Sequence, residues 1–153
     1  MNVLYDPRDE VYMKEALKEA YKAYQEDEVP IGAVVVCNNK IIGRGYNQTE
    51  KLNDVTAHAE MLAITAAANS LNGKYLPQCT IYITVEPCIM CAGALGWSQI
   101  GRIVFGTHDP KKGFTNFCTK GKTPLHPQTI VTSKVMEAEC KEILTDFFRK
   151  KRK

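Results

Sequence analysis

Apolar positions along this chain recur with two different periods, and the changes between them mark the elements. Met13, Ala16, Leu17, Ala20 and Tyr24 fall at helical spacing behind Asp6-Pro7, an N-cap followed by proline at the first helical position. Residues 31–37 (IGAVVVC) and 40–46 (KIIGRGY) flank Asn38-Asn39 and predict a β-hairpin. A second helix is predicted from about Thr56 to Leu71, stopping before Asn72-Gly73. Residues 80–85 (TIYITV) are β-branched and aromatic and predict a strand; Glu86-Pro87-Cys88 follows, then a short helix of small residues through about Leu95. Residues 102–106 (RIVFG) predict another strand. The stretch from Thr107 to Gln128 is rich in Pro, Gly and Lys and reads as irregular, before a brief strand at Thr129–Thr132. Met136, Cys140, Ile143, Leu144 and Phe147 then form one stripe of a final helix.

Strands alternating with helices predict an α/β protein, a three-layer α/β/α sandwich of about five strands. The hairpin must be antiparallel, so the sheet is expected to be mixed. No repeat, low-complexity tract or linker interrupts the pattern, and residues 1–153 are expected to form a single domain with a core that needs no disulfides.

Composition narrows the class. The apolar fraction of 44% and charged fraction of 24% are those of an ordinary globular protein. The longest apolar run, IGAVVVC, is too short to cross a bilayer, and the first ten residues resemble no signal peptide. A cytoplasmic protein with no membrane partner is expected. In that setting the six cysteines read as thiols or metal ligands. Cys37, Cys79, Cys118 and Cys140 are scattered and read as small core or loop residues; Cys88 and Cys91 form a C-x-x-C pair.

The net charge of +3 comes from one place. The last five residues, Arg149 to Lys153, are all basic; without them 15 bases face 17 acids. Two readings stand: a solvated helix end whose cations suit the dipole, or a contact for a polyanion such as RNA. Lys111, Lys112, Lys120 and Lys122 form a second, weaker set.

The candidate chemistry lies in Thr56-Ala57-His58-Ala59-Glu60 and Glu86-Pro87-Cys88-Ile89-Met90-Cys91. Each segment alone is a weak signal; together they are stronger, because both open a predicted helix. The i, i+3 spacing lets Cys88 and Cys91 reach one metal, and a first-turn position favours thiolate over thiol. His58 supplies a third donor. Catalytic zinc keeps three protein ligands and an open position for water. Two thiolates and a neutral imidazole cancel the metal's charge, so such a centre needs an adjacent base, for which Glu60 is the candidate. Spacing does not place Glu60 beside the metal, since residues two apart in a regular helix point to opposite sides. Three other readings compete. A structural zinc site wants a fourth ligand that neither segment supplies, a redox dithiol has no use for His58 or Glu60, and the cysteines could be inert.

The order H-x-E, then P-C-x-x-C, matches the signature of zinc nucleobase deaminases. E-V-P-I-G-A-V-V-V at Glu28–Val36, T-A-H-A-E-M at Thr56–Met61, E-P-C-I-M-C-A-G-A at Glu86–Ala94 and F-F-R at Phe147–Arg149 closely resemble bacterial tRNA-specific adenosine deaminases. The likeness runs from about Glu10 to Arg149. It implies a cytidine-deaminase-like fold, a homodimer, and hydrolysis of the wobble adenosine in a tRNA anticodon loop to inosine. It also implies one Zn2+ per chain on His58, Cys88 and Cys91, with Glu60 as proton shuttle. Asn47 would hydrogen-bond the target nucleotide, and Phe148 and Arg149 would lie against the RNA. On residue type alone Asn47 reads equally as a turn former at a strand end, and Phe147 as core. After Asp109-Pro110 the chain departs from the family, with Gly113-Phe114-Thr115-Asn116-Phe117 and Leu125-His126-Pro127-Gln128 where the family has Gly-Ser-Leu and Asn-His.

Two rivals are carried forward. One is a deaminase of a free base or nucleoside, served by a small apolar pocket expected near Pro30 and Val85. The other is a non-catalytic zinc-containing RNA-binding protein, to which Glu60 would be of no use.

Overall fold

The structure is a computed structural model and describes residues 6–152. Helix α1 (Arg8–Gln25) begins as expected: Pro7 has helical torsions, and the Asp6 carboxylate accepts the Arg8 N–H at 2.9 Å. Strands β1 (Gly32–Cys37) and β2 (Lys40–Tyr46) form the hairpin, with Asn38 and Asn39 both at positive φ, the type I′ geometry that suits the strand twist. Helix α2 (Ala59–Leu71), strand β3 (Cys79–Val85), helix α3 (Ile89–Ser98) and strand β4 (Arg102–Thr107) follow. A 3-10 turn at Phe114–Phe117, strand β5 (Ile130–Thr132) and helix α4 (Glu137–Lys151) complete the chain.

The five strands lie in the order β2-β1-β3-β4-β5. β1 is antiparallel to both neighbours, while β3, β4 and β5 are parallel, so the sheet is mixed as expected. Alternation along the strands divides the core between two faces. Ala33, Val35, Ile81, Ile83, Ile103 and Phe105 pack with Ala59, Ala63 and Leu95 on the α2/α3 side. Val34, Val36, Tyr82 and Val104 pack with Met13, Ala16 and Cys140 on the α1/α4 side. Cys37, Cys79 and Cys140 are buried, as core cysteines should be.

Several boundaries differ from the sequence reading by one to three residues. α2 starts at Ala59, not Thr56, because residues 49–57 fold into turns closed by Asp54 N–H to Thr49 O and Ala57 N–H to Asp54 O. α3 runs three residues past Leu95 and stops where Gln99 enters the left-handed region. The irregular stretch contains the 3-10 turn, and β5 starts one residue later than expected. Among the described residues no helix is long and apolar enough to cross a membrane.

β2 lies unusually close to α2. A Cβ on Gly45 would stand 2.4 Å from the Ala59 carbonyl oxygen, and one on Gly43 would stand 2.4 Å from that of Ala63. This close approach fixes the helix that carries Glu60.

Candidate active site

The antiparallel pairing of β1 brings its start beside the carboxyl end of β3 on one edge and the end of β2 on the other. The connections leaving these strand ends build the site, as expected for an open α/β sheet. α2 and α3 enter it with their amino ends. His58 is the N-cap of α2 and Cys88 the N-cap of α3, both with extended torsions.

His58 Nδ1 lies 3.4 Å from Cys91 Sγ and 3.7 Å from Cys88 Sγ. The three donor atoms all lie within 4.8 Å of one another, and this is the one such trio among the described residues. They share protons when no cation is present. Cys88 is held down to about 4 by hydrogen bonds from Cys91 and His58 against the opposing effect of burial. Cys91 is pushed up by its bond to Cys88 and by burial, and His58 is raised by Cys88. A dication among the donors displaces those protons. Two soft thiolates and an imidazole, with no fourth protein donor in the trio, fit zinc in an open catalytic site rather than a closed structural one.

Beside the trio is a pocket of about 260 Å³ lined by Val29, Ile31, Asn47, Thr49, His58, Ala59 and Glu60. Its apolar wall comes from Val29 and Ile31; Pro30 and Val85, expected there, are buried and do not line it. Glu60 is buried, and loss of solvent is the main cause of its carboxyl being raised to about 7, with its own backbone N–H the chief opposing effect. A carboxyl balanced between its two forms near neutrality is suited to taking up and returning a proton.

The remaining predicted residues divide. Asn47 is buried; its Nδ2 donates to Val29 O at 3.2 Å and its Oδ1 accepts the Thr49 N–H at 3.3 Å. It is therefore a turn residue and a pocket wall at once, with one amide hydrogen and one lone pair left over. Phe147 is core. Phe148, 44% exposed, lines a groove of about 530 Å³ that shares Val29 and Thr49 with the pocket. Arg149 lies outside both linings and pairs with Asp146 at 2.9 Å. Lys151 pairs with Asp27 at 2.6 Å, so the basic tail is partly tied to the chain's own acids.

Sequence reasoning missed two buried acids that brace loops around the site. Glu28 accepts the N–H groups of Glu50 and Lys51 at 3.1 and 2.7 Å, holding the 47–54 turn to the start of β1. Glu86 organises the segment after β4. Their signal was present: each is an acid flanking a strand of otherwise apolar residues, within two residues of a proline. On α3, Gly96 admits the chain's own 124–125 segment, since a Cβ there would meet Pro124 O at 2.0 Å, whereas Gly93 opens on free space.

The chain belongs to the cytidine and deoxycytidylate deaminase family, whose zinc-binding region matches residues 6–107. One zinc per chain is its cofactor, and the His-Cys-Cys trio fits it. Within that family the chain is a member of the tRNA-specific adenosine deaminases. It is 46% identical to the tRNA-specific adenosine deaminase of Bacillus subtilis over 95% of this chain and 92% of the relative. It is 43% identical to that of Agrobacterium fabrum over 92% of this chain and 94% of the relative. A solved structure from work on A-to-I editing by tRNA:A34 deaminases at the wobble position superposes with a TM-score of 0.81 at 42% identity, covering 88% of this chain and 99% of that one.

Proposed function

We propose that this chain, as a single deaminase domain, hydrolyses the wobble adenosine of a tRNA anticodon loop to inosine and ammonia. The observation that carries the reading is the placement of Glu60 and His58 on one wall of a pocket sized for a single base. Relatives bearing the tRNA-specific name along nearly the whole chain support the substrate.

His58 Nδ1, Cys88 Sγ and Cys91 Sγ would hold the zinc, which when bound would supply a Lewis acid to acidify water. Glu60 would take one proton from the attacking water at its carboxylate and pass it to the ring nitrogen, then take the second from the hydroxyl added to the ring carbon and pass it to the departing amine, so it ends as it began. Val29 and Ile31 exclude bulk water from the base. The spare hydrogen-bonding capacity of Asn47 orients the nucleotide. An anticodon loop is single-stranded, so its base enters at little unstacking cost. Phe148 offers a flanking base a stacking face along the adjoining groove. Arg149 reaches RNA by exchanging Asp146 for a phosphate. The cytoplasm, where thiols stay reduced, suits this chemistry.

The active form is a homodimer. A groove of about 510 Å³ lined by Ile64, Ala68, Tyr75, Ala94 and Trp97 runs between α2 and α3, and Trp97 is 85% exposed. A tryptophan this exposed beside an apolar groove fits a partner of like character, and the family resemblance makes that partner a second copy.

Incubation with an anticodon stem-loop and, separately, with free adenine, guanine and cytosine tests the substrate. Inosine at the wobble position with negligible turnover of free bases is expected. Efficient turnover of a free base with an inert stem-loop would favour the small-substrate alternative.

A further inference from the structure

Glu86 is a buried anion outside the pocket, with its side chain only 1% exposed. Its Oε1 accepts the Asp109 N–H at 3.1 Å and lies 3.2 Å from His108 Nδ1. Its Oε2 accepts the Thr115 N–H at 3.0 Å and the Thr115 hydroxyl at 2.6 Å. A buried carboxylate persists only where donors surround it, and here all the donors come from one short segment, 108–115. Gly113 of that segment lies flat against the carboxyl: a Cβ there would stand 2.3 Å from Glu86 Cδ.

The same segment touches the metal ligands at one point. Phe114 donates its N–H to Pro87 O at 2.9 Å, and Gly113 pairs with Cys88 in an isolated antiparallel bridge. The two cysteines are held differently. Cys91 is fully buried in the first turn of α3, and the helix fixes it. Cys88 precedes the helix in extended conformation (φ −71°, ψ 172°) and is half-buried; its strand-like partner is Gly113.

We propose that Glu86 is a positioning residue for the zinc ligand Cys88, acting through the 108–115 segment to fix the Cys88 backbone and slow the loss of metal. This rests on the assignment of His58, Cys88 and Cys91 to zinc. The carboxylate is two residues from the ligand, yet it acts by the longer route, through the segment it organises.

Glu86→Gln keeps the shape but turns one acceptor oxygen into an amide donor, set against the Asp109 or the Thr115 N–H. Thr115→Val removes one donor and leaves the carboxylate. Both proteins and the wild type are loaded with zinc, and transfer of zinc to a chromogenic chelator is timed well below each unfolding midpoint. Groups that orient ligands from outside the metal shell typically change metal affinity 10–100-fold. Zinc release about tenfold faster or more is expected for Glu86→Gln, with a smaller increase for Thr115→Val. The cobalt-loaded proteins should show shifted thiolate-to-metal absorption. Tyr82→Phe removes a hydroxyl bonded to Asp9 on the α1 side of the sheet and controls for general destabilisation; its release rate should match the wild type. Wild-type release and unshifted cobalt spectra in both variants would overturn the proposal, whatever happens to their midpoints. Should Glu86→Gln fail to fold, Thr115→Val decides by the same two readouts. A wild type that takes up no zinc would instead refute the zinc assignment itself.

Discussion

His58 and Glu60 stand two apart in sequence and line the same pocket, because His58 lies outside helix α2 and Glu60 inside it. His58 is the N-cap, with φ −78° and ψ 155°, and only Ala59 separates it from the carboxylate. Residues two apart within a regular helix point to roughly opposite sides and could not both have faced one space. Cys88 repeats the arrangement at α3, extended before the helix while Cys91 lies within it. Both helix amino ends thus converge on the trio, where their partial positive charge favours thiolates.

Burial of Glu60 has a consequence for stability. Its carboxyl is raised from 4.5 to about 7 in the metal-free protein, so the folded state holds its proton more tightly than the unfolded state does. Stability from this group is full below pH 4.5 and is lost as pH rises through 7, by about 3 kcal/mol. Glu60→Gln cannot titrate. Denaturant unfolding of the metal-free proteins should show the variant gaining on the wild type between pH 5 and pH 8. A difference that is flat with pH, or falls, would contradict the buried-acid account.

Gly45 is where β2 meets the first turn of α2. Gly45→Ala places a methyl 2.4 Å from the Ala59 carbonyl and 2.8 Å from the Ala63 nitrogen, both backbone atoms. Overpacking of this kind typically costs about 1–3 kcal/mol. The displaced helix also carries Glu60, so turnover should fall together with the melting temperature. Gly93→Ala, with nothing within 4 Å, should leave the fold's stability nearly unchanged.

Much of this was legible beforehand. The runs at 31–37 and 40–46 with Asn38-Asn39 between them identified the hairpin, while burial of its first strand on both faces emerged only from the structure. The metal trio was readable because three candidate ligands, one His and two Cys, sat at two helix starts. Other features depend on contacts that spacing does not encode. The late start of α2 comes from the 49–57 turns, the wall of the pocket from Glu28 reaching Glu50 and Lys51, and the brace on Cys88 from Glu86 reaching Thr115. The basic tail read as free cations, yet Asp27 and Asp146 compete for it through long-range and helical pairings.

Those pairings are exposed and weak, so phosphates should displace the carboxylates readily. Deleting residues 150–153 should raise KM for an anticodon stem-loop and flatten its salt dependence by roughly 0.7 in log–log slope per lost phosphate contact. Turnover at saturating RNA should change much less. Unaltered RNA kinetics after truncation would remove the tail from the RNA interface.

Assembly is tested at Trp97. Light scattering at micromolar concentration should give twice the mass of one chain, and Trp97→Arg should give one, because a cation cannot be buried in the apolar groove without a partner. A monomeric wild type would contradict the dimer.

The central claim is that a zinc site on His58, Cys88 and Cys91 deaminates adenosine with Glu60 moving the protons. The direct measurement is inosine formed on an anticodon stem-loop by the wild type and by Glu60→Gln, with bound zinc counted in the same samples. One zinc per chain is expected in both. Turnover should fall by about 10² to 10⁴ or more in the variant, the range set by a general acid–base group serving several steps. A variant that keeps its zinc and more than about a tenth of the wild-type rate would contradict the claim.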